Sequence, residues 1–505
     1  MKKLLALFLA LVMCSSLFLF ACGEEEQKKT AGGAETATQQ AGDPNATYDA
    51  EVRDLQGHDF AFLVRTTTSK HLDTNEVYSE ALTGDKVGDA VYKRNNELQQ
   101  KFNCTISEER VTNPVDSQRE ALLAGDYTYD FIYAHLKGVR SLAASGLAAD
   151  LNKLENINLN KIWHDQNFRK GLEISGKLFS ITGDAGTLDD RSTWVMFFNK
   201  DILEDNRQPS PYELVKKGEW TVQKMYEISE ACAKDVDGDG LIATRKKDVF
   251  GYLGEAGNNW YHVAACGLSV SRMTNAGVLE IPSSPTEEIL DAWAALKPLL
   301  TSPKRNVLDT GFTGGYAAFF GCNLGCTINL ANGGNNFGIL PMPKKDTNQA
   351  EYWTSLSGTL CNSYCIPVTV DQMEEAAAAG FKGEHAGQEM CAYFLEAYSY
   401  YSMKYLTPAF YDDMLCHQLA TDVESVECLE IALKNKVYDP VMLYDFGGML
   451  SAFKQAGSGT SNFGTDMNYD NLVSLYKARL EAARKQLKNY LDYLNDIDAL
   501  ENAGL

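Results

Sequence analysis

The order of strand and helix signals between residues 58 and 150 constrains the fold of this chain more than any other feature. Short apolar runs predict three strands, and apolar residues at helical spacing predict a helix after each strand. The predicted strands are Phe60–Val64, Cys104–Val111 and Tyr129–Ala134, and the predicted helices are Val87–Phe102, Val115–Leu123 and Gly138–Ser145. This β-α-β-α-β-α order predicts an α/β fold with an open sheet that carries helices on both faces.

The carboxyl ends of these predicted strands are where a ligand is expected. Open α/β sheets bind ligands beyond the carboxyl ends of their strands. Residues 65–69 follow the first strand, and His135 follows the third. The sequence therefore places these residues on one rim of a binding site.

The first residues of the chain predict export. Lys2 and Lys3 precede an apolar run from Leu4 to Phe20, and Ala21 precedes Cys22. This is the layout of a secretory signal peptide, and a cysteine at the cleavage point resembles the signals of bacterial lipoproteins. We therefore expect residues 1–21 to be removed and Cys22 to be lipidated. An uncleaved membrane helix is the alternative, although the run is barely long enough to span a bilayer.

Composition separates a tether from a globular body. Residues 22–55 contain few large apolar side chains and are expected to form a disordered tether behind the lipidated cysteine. The remaining stretch of about 450 residues is too long for one small core and predicts two lobes. The formal net charge of -22 disfavours binding to nucleic acid or to an anionic lipid surface. It is typical of the solvated surface of an exported protein.

Twelve cysteines raise the question of disulfides. Export permits them, but Cys322/Cys326 and Cys361/Cys365 have the spacing C-x-x-x-C and no histidine beside them at metal-ligand spacing. Most of the others lie in apolar surroundings. Buried free cysteines are the expectation, and connectivity cannot be read from the sequence.

Further elements are predicted beyond the first sheet. The strands are Leu178–Thr182, Trp194–Phe198, Ala317–Phe320 and Phe337–Leu340. The helices are Trp220–Ala233 with Thr221 as N-cap, Glu287–Leu300 broken near Pro298, most of Met373–Tyr401, and a long amphipathic helix after Tyr469.

The order and spacing of several segments resemble the family 1 extracellular solute-binding proteins, which include the sugar receptors of ATP-driven importers. The segments that carry the resemblance are 129–133, 141–151, 176–180, 198–203, 219–222, 315–319 and 337–343. The resemblance implies a two-lobed, periplasmic-binding-protein-like α/β fold with hinge-connected, doubly wound sheets. It implies a first lobe of residues 56–198 plus 350–406 and a second lobe of residues 199–349 plus 407–505.

The same resemblance implies a function and partners. The protein is expected to be a non-enzymatic receptor on the extracellular face of the bacterial cytoplasmic membrane, held there only by its lipid anchor. It would capture a solute, most simply a carbohydrate, and deliver it to the permease subunits of an ABC importer.

Sugar receptors place aromatic faces against pyranose rings and carboxylates or amides against hydroxyl groups. Residues of these types near the implied cleft are Trp260, Asn259, Trp353, Asp184, Trp194, His135, Asn323, Tyr444 and Phe446. Each of them has an alternative role in packing or capping. The sugar receptors also carry a Trp near the position of Asn323, whereas this chain has Cys322 and Leu324. A modified sugar or a peptide therefore stays open as the solute.

An acidic run predicts a second kind of site. Asp235, Asp237 and Asp239 alternate, and Gly240 follows, as in the first half of an EF-hand calcium loop. The Leu241 carbonyl and Asp248 are the candidates to complete the ligand set, because Lys246 stands where the closing Glu is expected. A structural calcium and a metal-free acidic turn are both open, and no other cofactor is expected.

Two other functions compete with transport. A surface glycoside hydrolase would need paired carboxylates, and Asp189, Asp190 and Glu255 are available. No local motif supports catalysis, however, since the chain lacks a G-x-S-x-G elbow and an H-x-x-x-H pair. A scaffold or adhesin would show internal repeats, and none is found.

Overall fold

Two separate sheets, one of four strands and one of five, organise the chain. The structure is a computed structural model. It describes residues 47–67, 75–124, 126–242, 248–254, 258–274, 277–306, 312, 314–327, 330, 334, 336–418, 423–456 and 469–502. All of these residues belong to one compact unit, Thr38–Leu505.

The first sheet confirms the strand and helix order predicted at the start of the chain. Its strands are β1 (His58–Arg65), β2 (Cys104–Val111), β3 (Phe131–His135) and β11 (Asn362–Cys365), in the order β11-β3-β1-β2. β1 pairs in parallel with β2 and β3, and β11 joins the edge antiparallel to β3. The helices α1 (Lys86–Phe102), α2 (Pro114–Ala124) and α3 (Leu136–Ala143) follow the three parallel strands.

The second sheet is mixed. Its strands are β4 (Trp194–Asn199), β5 (Phe250–Gly254), β8 (Arg305–Asn306), β9 (Ala317–Asn323) and β10 (Phe337–Leu340), in the order β10-β4-β9-β5-β8. β5 is parallel to β8 and β9, whereas β4 is antiparallel to both of its neighbours. A small ribbon pairs β6 (Arg272–Met273) with β7 (Leu279–Glu280).

The remaining described helices cover these sheets and form the C-terminal part of the fold. They are α4 (Gln166–Leu172), α5 (Leu188–Arg191), α6 (Lys200–Asp205), α7 (Pro211–Lys216), α8 (Val222–Cys232), α9 (Asn258–Ala264), α10 (Glu287–Leu300), α11 (Glu375–Ala378), α12 (Ala386–Gln418), α13 (Val423–Lys434), α14 (Pro440–Leu443), α15 (Met449–Ala456) and α16 (Leu472–Asn502). Short 3-10 turns occupy Leu151–Lys153, Leu324–Cys326, Val368–Gln372, Phe446–Gly448 and Tyr469–Asn471.

An aromatic cluster fixes α12 on the first sheet. Phe394 of α12 is fully buried and stacks on Phe60 of β1, with ring centroids 3.8 Å apart. Phe62 and Phe131 contact each other at 4.6 Å in the same layer. Alternate residues of a strand share one face, so these rings together form the apolar layer between sheet and helix.

Two sequence predictions of secondary structure are wrong. Leu178–Thr182 forms no strand and contributes only isolated bridges, such as Ile181 with Tyr364. Pro298 does not break its helix, because α10 continues to Leu300. Pro298 lies so near the helix end that its missing N–H affects only the last turn.

The expectation that the cysteines are free is wrong for one pair. Cys322 and Cys326 form a disulfide with their Cα atoms 6.5 Å apart. β9 ends at Asn323, and the 3-10 turn after it folds back, which brings the two side chains together. Among the described residues, seven cysteines remain free, including Cys361 and Cys365.

In the part of the chain that the structure describes, no helix has both the length and the hydropathy of a membrane span.

We predict that Phe394→Ala lowers the free energy of unfolding by about 3–5 kcal/mol, because it empties the centre of the aromatic cluster. Urea denaturation measures this change. Leu123→Ala is the control, since Leu123 is 88% exposed and its removal should stay within about 0.5 kcal/mol of the wild type. Equal losses in the two variants would contradict the role given to the cluster.

Candidate ligand-binding rims and their hinge

Three neighbouring backbone segments connect the two sheets. Thr193 forms an antiparallel bridge with Leu356, and Thr354 forms a parallel bridge with Lys436. The Trp194 N–H donates to the Ser355 carbonyl at 3.0 Å. The first segment leads into β4 of the second sheet, the middle one leads toward β11 of the first, and the third follows α13. Short segments of this kind are where a two-lobed protein bends.

A buried lysine holds the hinge segments to the loops beside them. Lys436 is 1% exposed, and its Nζ lies 2.6 Å from Asp190, 3.2 Å from Asp189 and 3.8 Å from Asp165. The hydroxyl of Tyr438 donates to Asp165 at 2.7 Å. Burial by itself lowers the pKa of Lys436, but the charges of its three acidic neighbours outweigh it and hold the pKa well above its usual range. Lys436 is therefore charged and paired throughout the physiological range.

Asp184 adds a carboxyl group to this arrangement, and we call Lys436, Asp165, Asp184, Asp189 and Asp190 the hinge cluster. Thr407 of α12 donates its hydroxyl to Asp184 Oδ1 at 2.6 Å. Burial, joined by repulsion from neighbouring acids, raises the pKa of Asp184 to about 7. Asp184 therefore exchanges a proton near neutral pH.

The second sheet presents an aromatic and amide rim, formed by Trp194, Tyr261 and Asn323, that we call the second rim. It lies at the edge where β5 and β9 have their carboxyl ends, and Trp194 stands opposite Asn323 in the sheet register. The Trp194 ring stacks on Tyr261 with centroids 3.8 Å apart. Trp194 Nε1 and Asn323 Oδ1 are buried and have no hydrogen-bond partner. Buried polar atoms are costly when unpaired, which points to a ligand at this rim.

The first sheet presents a rim of different character, formed by Arg65, His135 and Asn362, that we call the first rim. Arg65 ends β1, His135 ends β3, and Asn362 lies opposite His135 at the start of β11. The Gly138 N–H donates to His135 Nδ1 at 2.8 Å, so His135 caps α3. Burial, joined by the charge of Arg65, lowers the pKa of His135 to about 4. The neutral ring therefore carries its proton on Nε2, where it can be donated.

Asn259, Trp260 and Trp353 lie outside the two rims. Asn259 is fully buried and accepts from Arg305 at 3.3 Å, and Trp260 is 1% exposed with its edge against Phe453. Trp353 is partly buried and packs beside Gly267, at which a Cβ atom would lie 3.1 Å from the Trp353 indole nitrogen. Ligand contact by these three residues stays a prediction.

Tyr444 and Phe446 are also packed inside the protein. Both are buried, and both rings contact Tyr490 of α16 at about 6 Å. The Arg140 guanidinium lies 5.0 Å from the centre of the Phe446 ring. In this conformation the two aromatic side chains join the C-terminal helix to α3, and a ligand role for them stays a prediction.

The acidic run forms a loop closed at its base. Lys234 and Val249 exchange two backbone hydrogen bonds, and the carboxylate oxygens of Asp235, Asp237 and Asp239 lie within 4.8 Å of one another. Such a group of oxygen donors suits calcium. Asp248 is not part of this group.

Asp248 and Leu241 have other positions. Asp248 is fully buried and accepts from the Val236 N–H at 3.1 Å. The Leu241 side chain is exposed, and its N–H donates to Asp239 at 2.8 Å. Their place in a calcium shell stays a prediction, since residues 243–247 lie outside the described part of the chain.

Two residues of the site were not predicted from the sequence. Tyr261 directly follows Trp260, and neighbouring residues of a helix point about 100° apart, so one faces the core while the other reaches Trp194. That helical phase was the available signal. The sequence contained no such signal for Lys436, because Asp189 and Asp190 are 247 and 246 residues away along the chain.

Comparison with known proteins supports the architecture. No protein-family model and no curated protein matches this sequence. Among solved structures, the chain is similar to a cyclic α-maltosyl-1,6-maltose binding protein from Arthrobacter globiformis, with 15% identity and a TM-score of 0.54 over 86% of this chain and 100% of that one. It is also similar to a cyclo/maltodextrin-binding protein complexed with maltotetraose, with 13% identity and a TM-score of 0.53 over 87% and 98% of the two chains. The predicted two-lobed α/β fold is thereby confirmed.

We predict that Asp184→Asn removes part of the pH dependence of stability. The ordinary pKa of this carboxyl is 3.8, and in the folded protein it is about 7, so the folded state binds more protons between these values. The contribution of Asp184 to the free energy of unfolding therefore falls as pH rises from 4 to 7, by at most about 1.4 kcal/mol per pH unit. The variant should gain stability over the wild type across this interval.

Urea unfolding at pH 4, 5.5, 7 and 8 measures the difference between the two proteins. Asp205→Asn, at an exposed carboxylate, is the control and should run parallel to the wild type. If the free energy of unfolding of Asp184→Asn has the same pH dependence as that of the wild type, the raised pKa of Asp184 is contradicted.

Proposed function

We propose that this protein is the extracellular substrate-binding component of an ABC importer, which captures a carbohydrate between two lobes and releases it unchanged to a membrane permease. The observation that carries this proposal is the hinge. It joins two sheets whose carboxyl-end rims bear unpaired polar atoms and a stacked aromatic pair.

A receptor of this kind must exist in open and closed forms. A solute can favour closure only through contacts that it makes in the closed form and lacks in the open form. The first rim offers cationic and N–H donors, and the second offers an indole N–H and an amide oxygen. A solute that touches both rims has such differential contacts.

The similar solved structures support a carbohydrate as the solute. The two named above are described as a maltodextrin-binding and a maltosyl-maltose binding protein, and both are covered almost completely by this chain. Aromatic side chains beside a few well-placed polar groups are typical of small-molecule sites, and the second rim combines them.

The site of action follows from the N-terminal sequence. We propose that Cys22 carries the lipid, that the first part of residues 22–55 tethers the protein to the extracellular face of the cytoplasmic membrane, and that the permease subunits recognise the closed form. The end of this range is packed on the body of the protein instead, since Leu55 is fully buried and the Arg53 N–H donates to the Tyr393 hydroxyl at 2.9 Å. Residues 1–46 lie outside the described part of the chain, so this proposal rests on the signal-like sequence alone.

A surface glycoside hydrolase is the weaker alternative. Such an enzyme would need two free carboxyl groups on either side of a glycosidic bond. Asp189 and Asp190 are instead paired with Lys436, and Glu255 lies outside the described residues.

We also propose that the acidic loop holds a structural calcium. Asp235, Asp237 and Asp239 would supply the carboxylates, with the Leu241 carbonyl and Asp248 as candidates to complete the shell. The ion would tie together the two ends of a loop between α8 and β5.

We predict that Asn323→Leu weakens carbohydrate binding about tenfold or more, because the solute loses an amide partner at the second rim. A thermal-shift screen of neutral and acidic oligosaccharides first identifies the solute, and titration calorimetry then gives Kd for both proteins. The solute should be recovered chemically unchanged. Asn206→Leu, at an exposed helix end, is the control.

Two results would argue against this assignment. If the purified protein converts the oligosaccharide into shorter products, the hydrolase is the correct function. If Asn323→Leu binds as tightly as Asn206→Leu, the second rim does not contact the solute.

We predict that calcium raises the Tm by several degrees and that a chelator reverses the change, because the ion binds the folded loop and not the unfolded chain. Asp237→Asn should abolish the response. Asp470→Asn changes an exposed carboxylate elsewhere and should retain it. Identical melting curves with calcium and with chelator would rule out the metal site.

A further inference from the structure

Arg65, at the carboxyl end of β1, has only uncharged hydrogen-bond partners. Its Nη1 donates to the Thr359 carbonyl at 2.8 Å and to Asn362 Oδ1 at 3.4 Å. Within the described chain, no carboxylate forms an ion pair with it. A guanidinium has five N–H donors, so most of the donor capacity of Arg65 is left for another group.

This chain has 68 acidic and 46 basic residues, and several of its described arginines pair with acids. Arg169 pairs with Glu173 at 3.1 Å, and Arg272 pairs with Glu280 at 2.6 Å. Arg94 has no acidic partner either, but it is fully buried, and its donors reach Asn95, Ser402 and the Val77 carbonyl. Arg94 is thus satisfied inside the core, whereas Arg65 lies on a rim.

The groups around Arg65 reinforce its positive charge. His135, on the neighbouring strand end, accepts from Gly138 through Nδ1 and so offers Nε2–H as a further donor. The N-terminus of α3 begins at the same place, and helix N-termini favour anions. Lys137 follows, paired with Asp445 at 3.1 Å. Burial lowers the pKa of Arg65, and no neighbouring acid opposes this effect.

The two rims are close enough to hold one solute. Ser355 accepts from the Trp194 N–H at the second rim, and Thr359 accepts from Arg65 at the first. These two acceptors are four positions apart in the chain, so the connecting backbone spans at most about 14 Å.

We propose that the solute carries an anionic group, a carboxylate or a sulfate ester, that binds Arg65 while an uncharged part of the solute occupies the second rim. A uronic-acid-containing or sulfated oligosaccharide has this chemistry. Planar guanidinium binds both groups through two parallel hydrogen bonds, and His135 Nε2–H adds a third donor. The inference rests on the proposed receptor function and narrows its substrate class.

The test is titration calorimetry of the full chain with oligosaccharides matched in length. The probes are oligogalacturonates and neutral galacto-oligosaccharides in one arm, and sulfated oligosaccharides and their desulfated counterparts in the other. We expect the wild type to bind an acidic member at least tenfold more tightly than its neutral partner. The arm in which this preference is found distinguishes carboxylate from sulfate.

Substitution of Arg65 then tests whether this residue binds the anionic group of the solute. Arg65→Gln should lose at least tenfold in affinity for the acidic member and several times less for the neutral member, so that the preference for the acidic member disappears, while Arg65→Lys should recover part of the loss. Arg169→Gln, an arginine on α4 paired with Glu173, is the control and should bind as the wild type does. Melting curves of all variants establish that they fold.

The outcomes separate this inference from the function on which it rests. If the wild type binds neutral and acidic members equally, or if Arg65→Gln preserves the preference, the anionic subsite is wrong and the receptor function stands. If the wild type binds no oligosaccharide in either arm, both proposals are wrong.

Discussion

The pairing of Lys436 with Asp165, Asp189 and Asp190 is the constraint on which the rest of the arrangement depends. A lysine that is 1% exposed can stay charged only with acids around it, and carboxylates buried beside it need the lysine equally. Because Lys436 belongs to one hinge segment, while Asp189 and Asp190 belong to α5 directly before β4 and Asp165 caps α4, the ion pairs fix the hinge segments relative to each other.

The rims that meet around this hinge have different chemistry. The second rim is aromatic and uncharged, with the Trp194 ring stacked on Tyr261 and Asn323 beside it. The first rim is cationic, because Arg65 has no acid partner in the described chain and His135 is neutral beside it. In the described residues, a protein with a formal net charge of -22 thus has a cationic rim near its hinge. Salt screens the long-range repulsion between the acidic surface and an approaching anion. It screens the short-range attraction of a partly buried cation much less.

Local pattern predicted much of the fold. β2 at Cys104–Val111 and β10 at Phe337–Leu340 have the bounds expected from their apolar runs, and Thr221 caps α8 as predicted. The strand predicted at Leu178–Thr182 was wrong, because an apolar run also fits a buried extended segment that pairs only at an isolated position. Tertiary pairing, not local propensity, decides between the two.

The site was less predictable, for a physical reason. Trp194, Asn323 and His135 lie at strand ends, and strand ends are readable from sequence, but contact of these residues with a ligand stays a prediction. Trp260 and Tyr261 are adjacent and both buried, and only the packing of α9 decides which of them contacts Phe453 and which reaches Trp194. The hinge cluster joins residues nearly 250 positions apart, and no local signal marks such a contact.

The disulfide between Cys322 and Cys326 spans only four positions of the chain, and Asn323 lies inside that span. A ring this small removes little freedom from the unfolded chain, about 2 kcal/mol by the loop-entropy relation, so the bond is a minor contributor to overall stability. Its main effect is local, since it restrains the turn that holds the Asn323 amide in the second rim. The thiol–disulfide balance of the surroundings therefore bears on the geometry of the second rim, and hardly on whether the protein stays folded.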